Sequence, residues 1–220
     1  MIRLSKRLLC AAREIGQTDV FADIGTDHGQ LVSYALERGI AERAFAVDIS
    51  PKSLRKAEQN IRERGLSDRV EFFCGDGLKP LREIPAVVVI AGMGGNETVK
   101  ILSESLPPKK VVSIPHQDAH LVRRYLVENG YGLTADYIVE DGKFYAVLAA
   151  EQGAPIVRYT PDEYILGKNF PPNEAYDKRN RKRLFEIETI IKMQNVLPEA
   201  LQPELQQEYE VLKRWSKSHE

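Results

Sequence analysis

Between residues 20 and 150 the chain alternates short apolar runs with amphipathic stretches, and few architectures accommodate that pattern. The runs VFADIG (20–25), RAFAVDIS (43–50), RVEFFCGDG (69–77), PAVVVIAGMGG (85–95) and KKVVSIP (109–115) read as strands. In the fourth, Ala86 to Ile90 is apolar throughout, as a central parallel strand covered on both faces requires. Helical stretches alternate with them and follow the last, at 29–39, 50–65, 96–106 and 118–130. The second opens on Ser50 as N-cap with Pro51 in its first turn and closes at Gly65. GLTADYIVED and KFYAVLAAEQ then follow without a helix and turn at Asp141-Gly142, so they read as an antiparallel hairpin. The expected fold is α/β: a doubly wound, mostly parallel sheet with an antiparallel C-terminal hairpin.

The flanks differ. MIRLSKRLLCAAREIG reads as an amphipathic helix, too charged for a signal peptide. After residue 153 a stretch with four prolines and no strand alternation reads as a wrapped linker. Two helices are expected beyond it, at about 174–195 and 203–218. Leu184, Ile187, Ile191 and Gln194 share a face of the first, and Leu205, Tyr209, Leu212 and Trp215 a face of the second. The division is therefore 1–153 for the α/β part and 154–220 for linker and small helical hairpin. The apolar stripe of that hairpin packs on itself, on the α/β part or on another copy, so a monomer or a weak homodimer is expected. No apolar run approaches the ~18 residues needed to span a bilayer. Cys10 and Cys74 sit in apolar contexts without metal-binding spacing, which suits a reduced, cytoplasmic protein with no metal. A formal net charge of −1 gives no global signature of a polyanion partner, so any such contact depends on local patches.

Ligands of doubly wound sheets bind beyond the carboxyl ends of the strands. There the first strand offers Asp23, Gly25, Thr26, Asp27, His28 and Gly29. The two glycines permit a tight turn and close approach of a helix, and free N–H groups open the next helix. Asp27 disfavours a pyrophosphate, and no GK[ST] lysine offsets it. An acidic loop suits a ligand bringing positive charge, such as the sulfonium and ammonium of S-adenosylmethionine. Asp48, followed by Ile49, ends the second strand where a carboxylate would hold two ribose hydroxyls, a feature shared with nicotinamide-cofactor enzymes. Asp76, between Gly75 and Gly77, is placed to accept an adenine amino group. Ala91, Gly92, Met93 and Gly94 form a glycine-rich, ligand-facing end to the fourth strand, with Met93 lining a transfer cavity. Four strand ends thus match one adenosine–sulfonium ligand. A β-α series ending in a β-hairpin is the strand inventory of the class I methyltransferase fold, Rossmann-like in its winding.

With these residues in view, the chain resembles the bacterial TrmK family of tRNA adenine-N1 methyltransferases, which modify position 22. LSKRL (4–8), ADIGTDHGQL (22–31), GDGL (75–78), IAGMGG (90–95) and EDGKFY (140–145) carry the resemblance, in the family's order, over residues 1–150. It implies an S-adenosylmethionine-dependent methyltransferase, leaving S-adenosylhomocysteine, with tRNA as substrate and a coiled-coil-like helical C-terminal part. There are departures. Ile114-Pro115-His116 stands where the family typically reads Gln-Pro-Asn, and VDISP replaces a Glu-bearing strand end, with Asp48 keeping a ribose acceptor.

On this reading adenine N1 attacks an already activated methyl group, so the protein supplies orientation and dryness. Asp27 either stabilises the charge that develops on the base or holds the methionine ammonium. His28 hydrogen-bonds the base, takes up a proton from the exocyclic amine, or merely starts a helix. His116, with Gln117, is a further base contact or simply part of the loop before Asp118. RNA contacts are expected from Arg3, Lys6 and Arg7, from Arg123 and Arg124, and from the run Lys178, Arg179, Arg181, Lys182 and Arg183. The competing readings are a small-molecule methyltransferase of the same fold and a non-enzymatic nucleotide-sensing domain.

Overall fold

The computed structural model describes residues 2–194 and 197–219. Strands β1 (Thr18–Ile24), β2 (Ala41–Asp48), β3 (Val70–Cys74), β4 (Val87–Ala91) and β5 (Lys110–Ile114) pair in parallel. β6 (Tyr131–Asp141) and β7 (Lys143–Gln152) form the antiparallel hairpin, giving the order β3-β2-β1-β4-β5-β7-β6 in one seven-stranded sheet. The strand order reverses between β1 and β4, which creates the crevice where such sheets bind ligands.

Helices cover both faces. α1 (Lys6–Ile15), α2 (Gln30–Glu37) and α3 (Pro51–Arg62) lie on one side, where Ala11, Ile15, Leu31, Val32 and Ile61 pack on Phe21, Ala46, Val89 and Val112. α4 (Gly95–Ser103) and α5 (Ala119–Glu128) lie on the other, where Ile101, Leu102, Val122 and Leu126 pack on Ala22, Val47, Val88, Ile90 and Val111. Alternate residues of β1 and β4 therefore serve opposite faces; β4 is apolar without interruption, whereas β1 carries the buried Asp23. Ser50 does cap α3, accepting the Ser53 N–H, with Pro51 in the first turn.

The segment after β7 is more structured than its prolines suggest. It contains α6 (Pro161–Leu166), opened by a capping box in which Thr160 and Glu163 satisfy each other's backbone N–H groups. α7 (Glu174–Gln194) and α8 (Pro203–Lys217) follow, and residue 195, expected to end the first of these, lies outside the described residues. Ile187, Val211, Leu212 and Trp215 pack with Leu166 and Tyr176 onto Ile138 and Ala146 of the hairpin. The helical stripe thus packs on the face of the β6–β7 ribbon that α5 also covers.

Arg123 does not face RNA. It is 1% exposed, and its guanidinium is bidentate to the equally buried Asp136 of β6. Its Nη1 donates to the Tyr164 and Ile165 carbonyls at the end of α6. Asp136 also accepts from the Tyr159 hydroxyl and the Lys168 N–H. The amphipathic pattern of α5 explains the placement, because position 123 falls on its inward face between Val122 and Leu126.

Arg179 is likewise internal. Its guanidinium donates to the Leu166 carbonyl, and burial, with the nearby Arg123 charge, pulls its pKa down to about 10. Arg183 turns to α8, where it is bidentate to Glu208 at 2.9 and 2.8 Å. Of the basic run, Lys178, Arg181 and Lys182 remain on the exposed side of α7. Cys74, expected in apolar surroundings, is exposed at the strand end, whereas Cys10 is half-buried.

Candidate active site

The carboxyl ends of β1, β2, β3, β4 and β5 meet along one edge of the sheet, and the loops there interlock. After β1, the Gly25 and Thr26 N–H groups both donate to the Val47 carbonyl of β2, at 2.8 and 3.1 Å. A single 3₁₀ turn at Asp27–Gly29 then delivers the chain to α2. Gly25, His28 and Gly29 all take positive φ, at 77°, 60° and 62°. For His28 that conformation is costly, and such strain collects at ligand-binding sites. Asn60 of α3 braces the loop by donating to the His28 carbonyl at 3.0 Å. A side chain at Gly29 would strike Ile61 and Ala57, so this glycine lets α3, rather than the following helix, approach.

Asp23 is the buried carboxyl at the base of this loop. Burial pushes its pKa up to about 6, the Thr26 side chain opposing the rise and the Asp48 carboxylate adding to it. No ion pair reaches Asp23 among the described residues. A carboxyl with these surroundings fits a ligand that brings its own cation. Asp27 and His28 instead lie outside, with the His28 Nε2 3.4 Å from an Asp27 oxygen and the Asp27 side chain 68% exposed.

Asp48 spends one carboxylate oxygen on the Ser50 N–H at 2.7 Å, which fixes the side chain and leaves the other oxygen open. Ile49 beside it is 71% exposed, an apolar surface a flat ring would cover. After β3, Gly75 donates to the Asp48 carbonyl, and a side chain at Gly77 would meet Ile101 of α4. Asp76 is less free than its sequence position implies. Its carboxylate pairs with Lys79 at 2.8 Å, and this hydrogen bond holds its pKa low, while Lys79 also reaches Glu104.

The loops after β4 and β5 are locked together. Gly92 donates to the Ile114 carbonyl, His116 to the Met93 carbonyl and Gly95 to the Gln117 carbonyl, all near 3.0 Å. A side chain at Gly95 would overlap the Asp118 carbonyl, so only glycine fits. Asp118 itself sits at φ 56°. Met93 reaches across to the first loop, its Cε where a Gly25 side chain would stand. The His116 ring is exposed and lies against Gly92. The geometry thus brings together Asp23, Gly25, Thr26, Asp48, Ile49, Gly75, Gly77, Ala91, Gly92, Met93 and Gly94, with Asp27, His28 and His116 along the outer rim. Sequence reasoning missed Asn60 and Tyr145. Asn60 looks like any polar helix position, and Tyr145, whose ring lies 5.8 Å from that of His116, was signalled only by EDGKFY.

Known proteins resemble this chain in sequence and fold. A methyltransferase-domain family matches residues 4–148. The tRNA (adenine(22)-N(1))-methyltransferase of Bacillus subtilis strain 168 is 35% identical over 183 residues, 80% of this chain and 77% of that protein. The crystal structure of the B. subtilis m1A22 tRNA methyltransferase TrmK superposes with a TM-score of 0.79 at 27% identity, covering 99% of this chain and 97% of that one. A Streptococcus pneumoniae putative tRNA (m1A22) methyltransferase, solved in complex with S-adenosyl-L-methionine, shares the fold at a TM-score of 0.83 and 24% identity, with 97% and 99% of the two chains covered. The buried Asp23 carboxyl, the acidic strand ends and the glycine-lined edge stand within the matched region, and the chain belongs to the methyltransferase-domain family and, within it, to the tRNA (adenine(22)-N(1))-methyltransferases.

Proposed function

We propose that this chain methylates N1 of adenine 22 in tRNA, drawing the methyl group from S-adenosylmethionine and leaving S-adenosylhomocysteine. The observation that carries the cofactor side is Asp23, a buried carboxyl without a protein cation at the foot of a strained, glycine-bearing loop. Asp23 would hold the methionine ammonium at the foot of the Gly25–Thr26 loop. Asp48 would take the ribose hydroxyls with its free oxygen, and Ile49 would cover one face of the adenine. Gly75, Gly77 and Ala91 to Gly94 keep the backbone open to a flat ligand. Asp76 is shared with Lys79, so its contact to the adenine amino group is the weakest of the set.

Bound, S-adenosylmethionine supplies a methyl group already activated by its sulfonium, and the displacement asks for no metal. The chain's work is orientation and exclusion of water. Adenine N1 carries a lone pair and needs no base before attack. Asp27 is set on the acceptor side, where its exposed carboxylate meets the positive charge that develops on the base. His28, beside it, is placed to hydrogen-bond the acceptor base. Met93 and His116 wall the acceptor side at Gly92.

The tRNA grip is assigned to Arg3, Lys6 and Arg7 at the start of α1, to Arg124, and to Lys178, Arg181 and Lys182 on α7. Residues 1–153 carry the chemistry on this reading and 154–220 the second grip. The apolar stripes of α7 and α8 are buried against each other and the hairpin, which favours a monomer; a tRNA substrate would place its work in the cytoplasm. Among the described residues no helix is long and apolar enough to cross a membrane.

The test is transfer from labelled S-adenosylmethionine to bulk tRNA followed by nucleoside analysis. Label in 1-methyladenosine is expected. Label in another nucleoside keeps the chemistry and rejects the target. Failure to bind the cofactor in calorimetry rejects the cofactor assignment itself.

A further inference from the structure

The segments LSKRL and EDGKFY lie far apart in sequence and the cofactor side uses neither, yet in the fold they touch. At the tip of the β6–β7 hairpin the Asp141 carboxylate accepts the Arg7 N–H at 3.3 Å. Desolvation pushes that carboxyl up, but hydrogen bonds from the Arg7 N–H, the Ser5 side chain and the Lys6 N–H outweigh it and hold the pKa below the usual range. The start of α1 is therefore docked on the hairpin tip, with Arg7 pinned by its own backbone.

The hairpin tip is also placed at the site. β5 pairs with β7 only as far as Ser113↔Leu148, whereas the hairpin pairing continues to Asp141↔Lys143. Residues 143–147 therefore project past the end of β5, by roughly 10–15 Å at ~3.3 Å per residue. Tyr145 stands on this projection. The Arg7 guanidinium lies 5.2 Å over its ring, and the His116 ring lies 5.8 Å from the same ring, tilted by 54°. His116 in turn lies with Nε2 3.6 Å from where a Gly92 side chain would begin. A continuous line of side chains thus runs from the reacting edge of the sheet to a cation. The Arg7 guanidinium forms no ion pair among the described residues. A guanidinium that sits over a ring and forms no ion pair keeps N–H groups free for a bidentate contact to phosphate.

We propose that Arg7 clamps an RNA phosphate next to the target adenosine and that Tyr145 is the positioning residue, seating Arg7 on its ring and setting His116 against the acceptor. The assignment rests on tRNA being the substrate. It gives EDGKFY two tasks: Asp141 docks α1, and Tyr145 aligns the cation that docking delivers.

The test compares wild type, Arg7→Gln, Tyr145→Leu, Tyr145→Phe and the Arg7→Gln/Tyr145→Leu double variant. It measures tRNA affinity across a salt series, KM and kcat for tRNA, and the calorimetric Kd for S-adenosylmethionine on the same preparations. Arg7→Gln and Tyr145→Leu are each expected to raise the tRNA KM about fivefold to tenfold and to lower the slope of log affinity against log salt by about one. Tyr145→Phe restores most of what Tyr145→Leu loses, and in tRNA affinity the double variant is no worse than either single one, because both remove the same phosphate contact. The cofactor Kd stays at the wild-type value. Additive losses in the double variant, an unchanged salt slope in Arg7→Gln, or Tyr145→Phe as weak as Tyr145→Leu would each overturn the clamp. Wild-type protein that binds S-adenosylmethionine but neither binds nor methylates tRNA would overturn the substrate reading itself.

Discussion

Asp23 lies near the end of β1 with its carboxyl pushed up to about 6 by burial, and this has opposite effects on folding and on binding. Its reference value is 3.8, so between pH 3.8 and about 6 the folded chain holds a proton that the unfolded chain has lost. Stability from this residue therefore falls as pH rises through that window, by roughly 2–3 kcal/mol in total, and stays lower above it. Asp23→Asn is expected to gain up to that amount at pH 7.5 in urea unfolding. The same substitution is expected to weaken S-adenosylmethionine binding at least tenfold in calorimetry, because an ammonium then meets an amide. Wild-type affinity should fall as pH drops below about 6, and the Asn variant should lose that dependence. A wild-type affinity flat from pH 5 to 7.5 would remove Asp23 from the ammonium role. Asp23 and Asp48 were legible in the sequence because each stands at the end of an apolar run, where position alone fixes orientation. The arginines were not. Arg123 and Arg179 look like surface cations until Asp136 and the carbonyl end of α6 are known to face them, and those partners lie 13 residues away across a turn and in a segment read as linker.

At the scale of elements, α6 shows how a helix of 6 residues survives. Nucleation is costly for so short a piece, so its ends must be held from outside. Thr160 and Glu163 close the N-terminal end, while Arg123 and Arg179 donate to the carbonyls of Tyr164, Ile165 and Leu166 at the other. The positive charges also suit the negative end of the helix. Arg123→Met removes the centre of this arrangement and strands the Asp136 carboxylate in the interior. It is expected to cost about 3–5 kcal/mol in denaturant unfolding, and Arg123→Met with Asp136→Leu about half of that or less. Hydrogen exchange should locate the loss in α6 and β6, leaving β1 to β4 protected. Equal destabilisation of the single and double variants would mean that packing rather than charge pairing sets the cost. The five parallel strands and the hairpin were legible because their alternation has a simple period. α6 was hidden by flanking prolines, although Thr-Pro-Asp-Glu at 160–163 is the sequence of a capped helix start.

For the whole molecule, a formal net charge of −1 means that RNA binding depends on how charge is distributed. α7 sorts its cations by face. Arg179 and Arg183 go inward to α6 and α8, while Lys178, Arg181 and Lys182 stay outside, with Lys182 over the Phe144 ring at the hairpin. Replacing the three outer residues by Gln should reduce tRNA affinity about tenfold at low salt and flatten its salt dependence, with the melting temperature and cofactor Kd unchanged. Replacing Arg179 and Arg183 should instead lower the melting temperature. If the outer triple variant binds tRNA as wild type does, α7 is not a grip. The buried Arg123–Asp136 pair has a consequence for inheritance. A helical cap that closes over an internal charge pair is not an exchangeable module. Chimaeras that graft residues 154–220 onto the catalytic half of a relative should fold only if positions 123, 136, 159 and 167 travel as a set, since Gly167 leaves room for the Arg123 guanidinium and Tyr159 completes the shell of Asp136. The two halves of this chain are therefore bound to change together over generations, whatever freedom their separate tasks would allow.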